Sequence, residues 1–433
     1  MSPAAWLGVI LPTLVVWVLL ILLLVIRGRA RKDTQEASPT LGSSLSECLP
    51  AKTPVAVHGA VPRQRLSIRV DDSVNPPLLR VEGAQMSWLP TGTFAMRTDL
   101  GEGDGIVMAA GGPRYGPLGY AALKRVREYG GTLPVEWWHA GPSEKPLDEQ
   151  AKLLEDLGGV KVLDLCEVTG LSPKAAQGFQ AKVLAVYHSS FRRCVVMDAD
   201  LVPYDNPCDL IDPLLTHLPD QGAYVFGDFV DCFVGSYLMP HHVWTDLGLA
   251  PACDERQQES ALMFLDRSAP GMVSALAFAA YCAHHAKVVY KSNVLWGDKD
   301  TWRIGFRLFR VAYAMSPIPP GAVGRGPVSD PDRVMASCFL QHHPTKAARG
   351  LPDGTGWVSA PLYGNGRKRP MKHAPNVTFD GAEWNMTCDP SVKLRLFRLT
   401  EGRARPASKA ITQAHEAQSR DYYAWSKLDL STT

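Results

Sequence analysis

Two carboxylates, one residue apart, directly follow an apolar run at positions 195–197. They are Asp198 and Asp200, and their oxygens are the hard ligands that Mg²⁺ and Mn²⁺ prefer. A divalent cation held there would neutralise a diphosphate and make it a better leaving group. The alternative is that both aspartates cap a turn. We predict a metal site in which Asp200 binds the ion directly, while Asp198 contacts a metal-bound water or a nucleotide ribose.

Three further residues are candidates to contact the nucleotide whose diphosphate such a cation would neutralise. Gly111 and Gly112 follow an apolar run at 105–110, and a residue without a Cβ lets the backbone approach a ligand closely. An ordinary strand-to-helix turn would also explain them. Lys182 lies in an amphipathic segment, 179–190, that leads into the two aspartates. It could reach a phosphate or the sugar, or it could be a solvated helix lysine.

Four more acidic residues are candidates for positioning the sugar and its acceptor. Asp228 lies among aromatic residues after a strand-like run at 222–226 and could bind acceptor hydroxyls, or could belong to a plain turn. The others are Glu259, Asp298 and Asp300. The last two could equally mark the start of a helix, where negative charge favours the positive end of the dipole.

The elements that carry these residues alternate between strands and helices. Strands are predicted at 105–110, 135–139, 160–165 and 194–197, and helices at 120–129, 151–157 and 179–190. Such alternation is typical of βαβ units and predicts an α/β fold with a mostly parallel sheet. Ligands of such sheets bind at the carboxyl ends of the strands, which is where the candidate residues fall.

The bulk composition restricts the class of protein. The chain has 433 residues, 46% of them apolar, and a net charge of +2, so it lacks the basic excess typical of nucleic-acid binding. Its nine cysteines form no CxxC pair and no cluster at zinc spacing, which argues against a structural zinc site.

The N-terminal region predicts a membrane anchor. Residues 6–26 are uncharged and long enough to span a bilayer, and they favour an uncleaved anchor over a cleaved signal. Four basic residues at 27–32 favour a cytosolic C-terminal part, whereas sequons at Asn376 and Asn385 favour a lumenal one. The predicted organisation is a tail (1–5), an anchor (6–26), a stem (27–60), an ordered extension (61–104), a catalytic domain (105–345) and a C-terminal extension (346–433).

Four sequence blocks carry a resemblance to a known family. They read GIVMAAGG (105–112) followed by LPVEWWHAG (133–141), GFQAKVLAVYHSSF (178–191), VVMDADLVPYDNP (195–207) and GDKDTWRIGF (297–306). Their order and spacing resemble those of the MNN-one-type α-mannosyltransferases, glycosyltransferase family seventy-one. The resemblance runs from residue 105 to about residue 343, roughly half of the chain.

This resemblance implies a GT-A fold, GDP-mannose as donor, a Mn²⁺ or Mg²⁺ cofactor, retention of anomeric configuration, and a glycan or glycoprotein acceptor. It also implies a single-pass type II protein of the Golgi membrane with a lumenal catalytic domain. GT-A enzymes often take a third metal ligand from a histidine near the end of the domain, and His342 is favoured over His343. Ala261 departs from the family, which usually has a glycine after the Glu-Ser pair.

The sequence is also compatible with other functions. The glycine-rich segment at 108–114 faintly resembles the start of sugar-nucleotidyltransferases, a class with no use for an anchor. A GT-A transferase with a UDP-sugar donor and an inactive lumenal binding protein are the remaining alternatives. If the enzyme inverts configuration, Asp298 or Glu259 should act as general base. If it retains configuration, the departing phosphate can accept the proton, or a carboxylate can form a covalent intermediate.

Overall fold

A computed structural model describes part of the chain. The described residues are 66–84, 86–216, 221–231, 241–250, 256–290, 294–295, 297–316, 321–327, 335–344, 355–359, 377–380, 383–386, 393–400, 403–406, 413, 417 and 421. The predicted anchor at 6–26 and stem at 27–60 lie outside these residues, as do Asn376 and the side chain of Asn385. None of the helices within the described ranges has the length and apolar character needed to span a bilayer.

Eighteen strands and ten α-helices are described. The strands are β1 (Leu66–Asp71), β2 (Leu78–Gly83), β3 (Gly92–Ala95), β4 (Asp104–Ala109), β5 (Val135–His139), β6 (Val160–Asp164), β7 (Arg193–Asp198), β8 (Val202–Pro203), β9 (Gln221–Asp231), β10 (Arg256–Asp266), β11 (Ala312–Met315), β12 (Gly321–Pro327), β13 (Met335–His342), β14 (Thr355–Ser359), β15 (Val377–Asp380), β16 (Glu383–Met386), β17 (Lys393–Thr400) and β18 (Arg403–Pro406). The helices are α1 (Gly112–Glu128), α2 (Asp148–Asp156), α3 (Leu165–Thr169), α4 (Pro173–Ala176), α5 (Phe179–His188), α6 (Ile211–Leu215), α7 (His241–Asp246), α8 (Met272–His284), α9 (Ala286–Val289) and α10 (Lys299–Leu308).

A seven-stranded sheet forms the centre, in the order β11-β9-β10-β7-β4-β5-β6. Six of these strands run in one direction, and β10 runs against its neighbours β7 and β9. The predicted mostly parallel sheet is therefore confirmed. The carboxyl ends of β4 and β7 lie side by side, because Ala109 is in register with Asp198.

Helices cover both faces of this sheet, because alternate residues of its inner strands are apolar in both directions. Val107 and Val196 belong to a core shared with α5, α8 and α10. Met108 and Met197 belong to a second core, shared with α1 and α6. The strand that ends at the acidic pair is thus buried on both sides, and its end is held in a fixed position.

The start of α1 corrects the prediction from sequence. The helix was predicted from residue 120, but it begins at Gly112, with Pro113 in its first turn and Pro117 and Gly119 inside. A proline fits the first turn of a helix, where its missing N–H has no intrahelical partner. A Cβ on Gly119 would lie 2.6 Å from the Cβ of Ala110, so glycine lets this helix pack closely on the sheet.

A bulge interrupts β10 opposite the end of β7. Glu259 pairs with Phe226 of β9, but Phe264 pairs with Tyr224, so β10 has three extra residues in between. On its other edge, β10 pairs Leu262 with Met197 of β7. Bulges re-aim side chains and are frequent beside functional sites. Here the bulge turns residues 259–261 toward the carboxyl end of β7.

A second, antiparallel sheet lies against the segment that follows the acidic pair. Its order is β15-β16-β17-β12-β13-β14-β8, with β18 on β17. Trp357 and Val358 of β14 pair with Pro203 and Val202 of β8. The domain boundary predicted after residue 345 falls between β13 and β14, which are neighbours in this sheet.

The first three strands form a small antiparallel sheet that packs on α5 and α8, where Phe94 of β3 contacts the rings of Tyr187 and His284. A partly buried histidine at this contact, His188, is expected to make the stability of the protein sensitive to acid. His188 of α5 packs edge-on against Tyr187, with ring centroids 5.0 Å apart. Burial lowers the pKa of His188 to about 4, and Arg97 and His284 add to this effect. An unfolded histidine has a pKa of about 6.5, so the unfolded chain binds more protons between pH 6.5 and 4.

We therefore expect the free energy of unfolding to fall as the pH drops through this window. His188 alone should lower the free energy of unfolding by about 2 kcal/mol at pH 5 relative to pH 7.5. Urea unfolding at the two pH values measures it, and His188→Gln should lose about that much of the difference. An equally steep pH dependence in wild type and variant would contradict the assignment.

Candidate functional site

The acidic pair lies where the sequence predicted it, at the end of a buried central strand. Asp198 is the last residue of β7, and the N–H of Leu201 donates to its carbonyl oxygen at 3.2 Å, closing a turn that contains Asp200. The side chain of Asp198 is 30% exposed, in contrast to the fully buried residues before it. The pair therefore stands at the boundary between core and solvent.

Lys182 links this strand end to the other candidate acids. Its Nζ lies 2.8 Å from Oδ1 of Asp198 and 2.9 Å from Oδ2 of Asp298, and its side chain is only 10% exposed. It also donates to the hydroxyl and carbonyl oxygens of Ser260 in the β10 bulge, at 2.9 and 3.0 Å. The alternative of a solvated helix lysine is thus wrong.

Burial opposes the charge of Lys182, but the two carboxylates outweigh it and raise the pKa of this lysine. For Asp198 the balance favours the neutral form. Burial is the largest cause that raises its pKa, Asp200 and Asp298 add to the rise, and Lys182 opposes it. Both causes are expected for a carboxylate at this position, because burial and like charges in one site disfavour ionisation.

Asp298 is held in place by three donors on one oxygen. Its Oδ2 accepts from Nζ of Lys182, from Oγ of Ser260 at 3.2 Å and from Nε1 of Trp302 at 3.1 Å. The residue occupies the capping position of α10, but its carboxylate makes no capping hydrogen bond. The helix-start interpretation is therefore correct for the backbone, while the side chain belongs to the cluster. Asp300 is buried in the first turn of the same helix.

A second ion pair lies next to the first cluster. Nζ of Lys299 lies 2.6 Å from Oδ2 of Asp228, whose side chain is 6% exposed. Oε1 of Glu259 accepts from the N–H groups of Ser260 and Ala261 at 2.8 and 3.0 Å, which stabilises the bulge. Burial raises the pKa of Glu259, and Asp228 adds to this effect while Lys299 opposes it.

The structure thus brings together the predicted residues of five separate segments. Around Lys182 and Lys299 lie six carboxylates: Asp198, Asp200, Asp228, Glu259, Asp298 and Asp300. With all groups ionised, these six carboxylates and two lysines carry a formal charge of −4. A divalent cation would relieve this excess, and the oxygen donors are of the kind that Mg²⁺ or Mn²⁺ takes.

The side chain of His342 lies outside the described residues, but its neighbours are placed. Nε2 of Gln341 donates to the carbonyl oxygen of Gly227 at 2.8 Å, next to Asp228. Nε2 of the buried His343 lies 3.8 Å from Oδ2 of Asp205. In the described part of the chain, no three His, Cys, Asp or Glu side chains are grouped to hold a metal ion. The third-ligand role of His342 stays a prediction.

The two glycines are required by contacts within the protein. An ideal Cβ on Gly111 would lie 2.7 Å from both Cβ and Oε2 of Glu144. Gly112 has φ of +69°, which favours glycine, and its N–H donates to the carbonyl oxygen of Glu144 at 2.9 Å. The ordinary turn explains both residues, so their contact with a nucleotide stays a prediction.

Sequence reasoning missed four residues of the site. Lys299 pairs with Asp228, and Ser260 and Trp302 donate to Asp298. Lys299 and Trp302 lie within the block at 297–306, and Ser260 directly follows the predicted Glu259. Tyr115 lies in the first turn of α1. Burial raises its pKa, Arg114 opposes this, and Asp200 and Asp198 add to it, so the phenol lies near both carboxylates. An aromatic residue four positions after Gly111 was the available signal.

Part of the chain that forms this site is similar to known proteins. Residues 103–227 match the mannosyltransferase family Mannosyl_trans3. The match confirms the predicted resemblance for the blocks at 105–141, 178–191 and 195–207. The block at 297–306 lies beyond the matched residues.

Two curated relatives are mannosyltransferases. The chain is 34% identical over 118 residues to the α-1,2-mannosyltransferase MNN24 of Candida albicans, covering 27% of this chain and 16% of the relative. It is 31% identical over 139 residues to the α-1,2-mannosyltransferase MNN5 of Saccharomyces cerevisiae, covering 32% of this chain and 23% of the relative. The matches therefore span less than a quarter of the length of either relative.

The solved structures to which part of the chain is similar include a galactosyltransferase and a xylosyltransferase. The galactosyltransferase LgtC, in complex with donor and acceptor sugar analogues, gives a TM-score of 0.35 at 17% identity and covers 49% of this chain and 73% of that chain. Mouse xyloside xylosyltransferase 1 gives a TM-score of 0.34 at 15% identity and covers 49% of this chain and 85% of that chain.

The Mannosyl_trans3 match divides the site into two parts. Lys182, Asp198 and Asp200 lie inside the matched residues. Asp228 follows directly after them, and Asp298 comes about 70 residues later. The matched segment thus supplies the acidic pair and its lysine, and the following segments complete the cluster around them.

Proposed function

We propose that this protein is a metal-dependent glycosyltransferase with a GT-A fold, and that it transfers mannose from GDP-mannose to a glycan or glycoprotein acceptor. One observation carries the proposal: the buried Lys182 joins Asp198, the first member of the acidic pair at the end of β7, to Asp298 of α10. The Mannosyl_trans3 match and the two mannosyltransferase relatives support the choice of sugar.

We propose that the acidic pair holds a divalent cation, because carboxylate oxygens are ligands that Mg²⁺ and Mn²⁺ prefer. Asp200 would bind Mn²⁺ or Mg²⁺ directly, Asp198 would take part directly or through a bound water, and His342 would complete the protein ligands. When bound, the cation neutralises the diphosphate of the donor and stabilises the departing nucleotide. Because Oδ1 of Asp198 is occupied by Lys182, its second oxygen is the one available to the ion or the ribose.

The protein's own groups mainly position the reactants and stabilise charge. Three donors on one oxygen fix Asp298, so it orients Lys182 and the sugar site. Burial raises the pKa of Glu259, which makes it a stronger proton acceptor than an exposed carboxylate. We propose retention of configuration, in line with the family, and for an inverting reaction we favour Glu259 over Asp298 as base.

We further propose that residues 6–26 anchor the protein in the Golgi membrane with the catalytic domain in the lumen. The sequons at Asn376 and Asn385 support this orientation, and the basic residues at 27–32 oppose it. Modification of these asparagines in cells would support the lumenal placement. Unmodified sequons in a protein accessible to cytosolic protease would contradict it.

A donor panel tests the proposed activity. Full-length protein in detergent, with Mn²⁺, is incubated with GDP-mannose, UDP-galactose and UDP-xylose, and released nucleotide is measured with and without α-mannobiose. We expect GDP release that depends on metal and on the protein. Release from a UDP-sugar alone would change the donor. Binding without turnover would favour an inactive binding protein, and pyrophosphate formation from a sugar phosphate and GTP would favour a nucleotidyltransferase.

A further inference from the structure

An exposed aromatic ring stands at the edge of the charged cluster. Phe179, the first residue of α5, is 50% exposed. Within the described parts of the chain, it is the only aromatic member of the five exposed large apolar residues, the others being Val74, Leu100, Val168 and Val288. An exposed phenyl ring leaves a large apolar area in water, an area that a ligand could cover.

The ring rests on the backbone of Gly297, which directly precedes Asp298. An ideal Cβ on Gly297 would lie 3.1 Å from Cγ of Phe179 and 3.3 Å from each Cδ. Gly297 also has φ of +126°, a backbone conformation that residues with a Cβ rarely adopt. The backbone conformation therefore favours glycine here, the ring leaves little room for a Cβ, and the ring lies against the residue that precedes Asp298.

The helix places the same ring close to Lys182. Residues three apart lie on one face of a helix, so Phe179 and Lys182 point to the same side of α5. Lys182 is buried and bound to two carboxylates, whereas Phe179 lies one turn earlier and is half exposed. The ring thus lies on the solvent side of the cluster.

A pyranose ring has the matching chemistry, because its C–H groups give it an apolar face while its hydroxyls surround the edge. Stacking on an aromatic ring covers that face and leaves the hydroxyls available to polar groups. We propose that Phe179, supported by Gly297, is the platform on which the sugar ring of the acceptor stacks. This inference rests on the proposed function, since it assigns the acceptor side of the same site.

The test separates acceptor binding from donor turnover. Full-length protein in detergent is assayed with Mn²⁺ and GDP-mannose, and α-mannobiose is the acceptor probe. Phe179→Ala should raise KM for α-mannobiose about tenfold, while GDP release without acceptor stays within about twofold of wild type. Phe179→Trp keeps an aromatic platform and should restore KM. Val168→Ala removes another exposed apolar side chain, 47% exposed on α3, and should leave both quantities unchanged.

Each outcome supports or overturns the role of Phe179 in acceptor binding. An unchanged KM for α-mannobiose in Phe179→Ala overturns the platform, and so does a change confined to KM for GDP-mannose, which would place the donor sugar on the ring. Failure of Phe179→Trp to restore KM also counts against stacking. A wild-type protein that turns over no donor overturns the proposed function and this inference with it, whereas the Phe179 results alone leave the proposed function standing.

Discussion

Replacing Asp200 with asparagine is expected to lower metal-dependent donor turnover by about a hundredfold or more. The cation site would lose a charged ligand, and stabilisation of the leaving diphosphate by a metal is worth several kcal/mol. Because Asp200 lies in the turn after β7 and outside the Lys182 ion pairs, the fold should be retained. GDP release at increasing Mn²⁺ concentration measures the effect, and a weakened metal site should shift the half-saturating concentration upward.

A matched control is Asp72→Asn, which removes the same charge from an exposed turn between β1 and β2. This variant should keep wild-type turnover and metal dependence. Wild-type activity in Asp200→Asn would show that the acidic pair does not hold the metal. Loss of activity together with loss of the cooperative unfolding transition would show a structural role instead.

Replacing Lys182 with methionine is expected to destabilise the protein by about 3–5 kcal/mol, as well as abolish turnover. The variant keeps the length of the side chain but leaves Asp198 and Asp298 facing each other without their shared cation, and breaking a buried ion pair on one side has this cost. At this size the melting temperature should fall by roughly 10 °C. Thermal unfolding followed by circular dichroism measures the shift.

Two further variants test whether the loss of stability comes from carboxylates that have lost their shared cation. Lys182→Met combined with Asp298→Asn removes one of the stranded charges, so it should regain part of the lost stability without regaining turnover. Lys152→Met removes an exposed lysine from α2 and should change the melting temperature little. If Lys182→Met melts within about 2 °C of wild type, the lysine is solvated in solution and the cluster is not formed as described.

Sequence patterns located the central elements well where burial is continuous. β5 matches the predicted 135–139, and β7 ends at Asp198, because an apolar run bounded by charge has one natural end at the sheet edge. The start of α1 was missed because its glycines and prolines argue against a helix locally. Close packing of Gly119 on Ala110 decides that segment, and this contact is not visible in local sequence.

The residues of the site could be listed from sequence, but their partners could not. Lys182 and Asp298 are 116 positions apart, and only the folded sheet shows that they form an ion pair. The β10 bulge, which brings Ser260 to both of them, depends on the register with β9 and β7. Gly111 and Gly112 show the opposite difficulty. Glycine at these positions fits a ligand site, but the close packing of Glu144 explains it equally well, and sequence alone does not distinguish the two causes.

The most direct measurement of the central claim is the anomalous diffraction of manganese in crystals grown with Mn²⁺ and GDP. The account predicts one strong peak at the carboxyl end of β7, about 2.1 Å from a carboxylate oxygen of Asp200 and bridged to the diphosphate. A nucleotide bound away from this strand end would contradict it. So would crystals in which Asp198 and Asp200 face solvent and no ion lies between protein and phosphate.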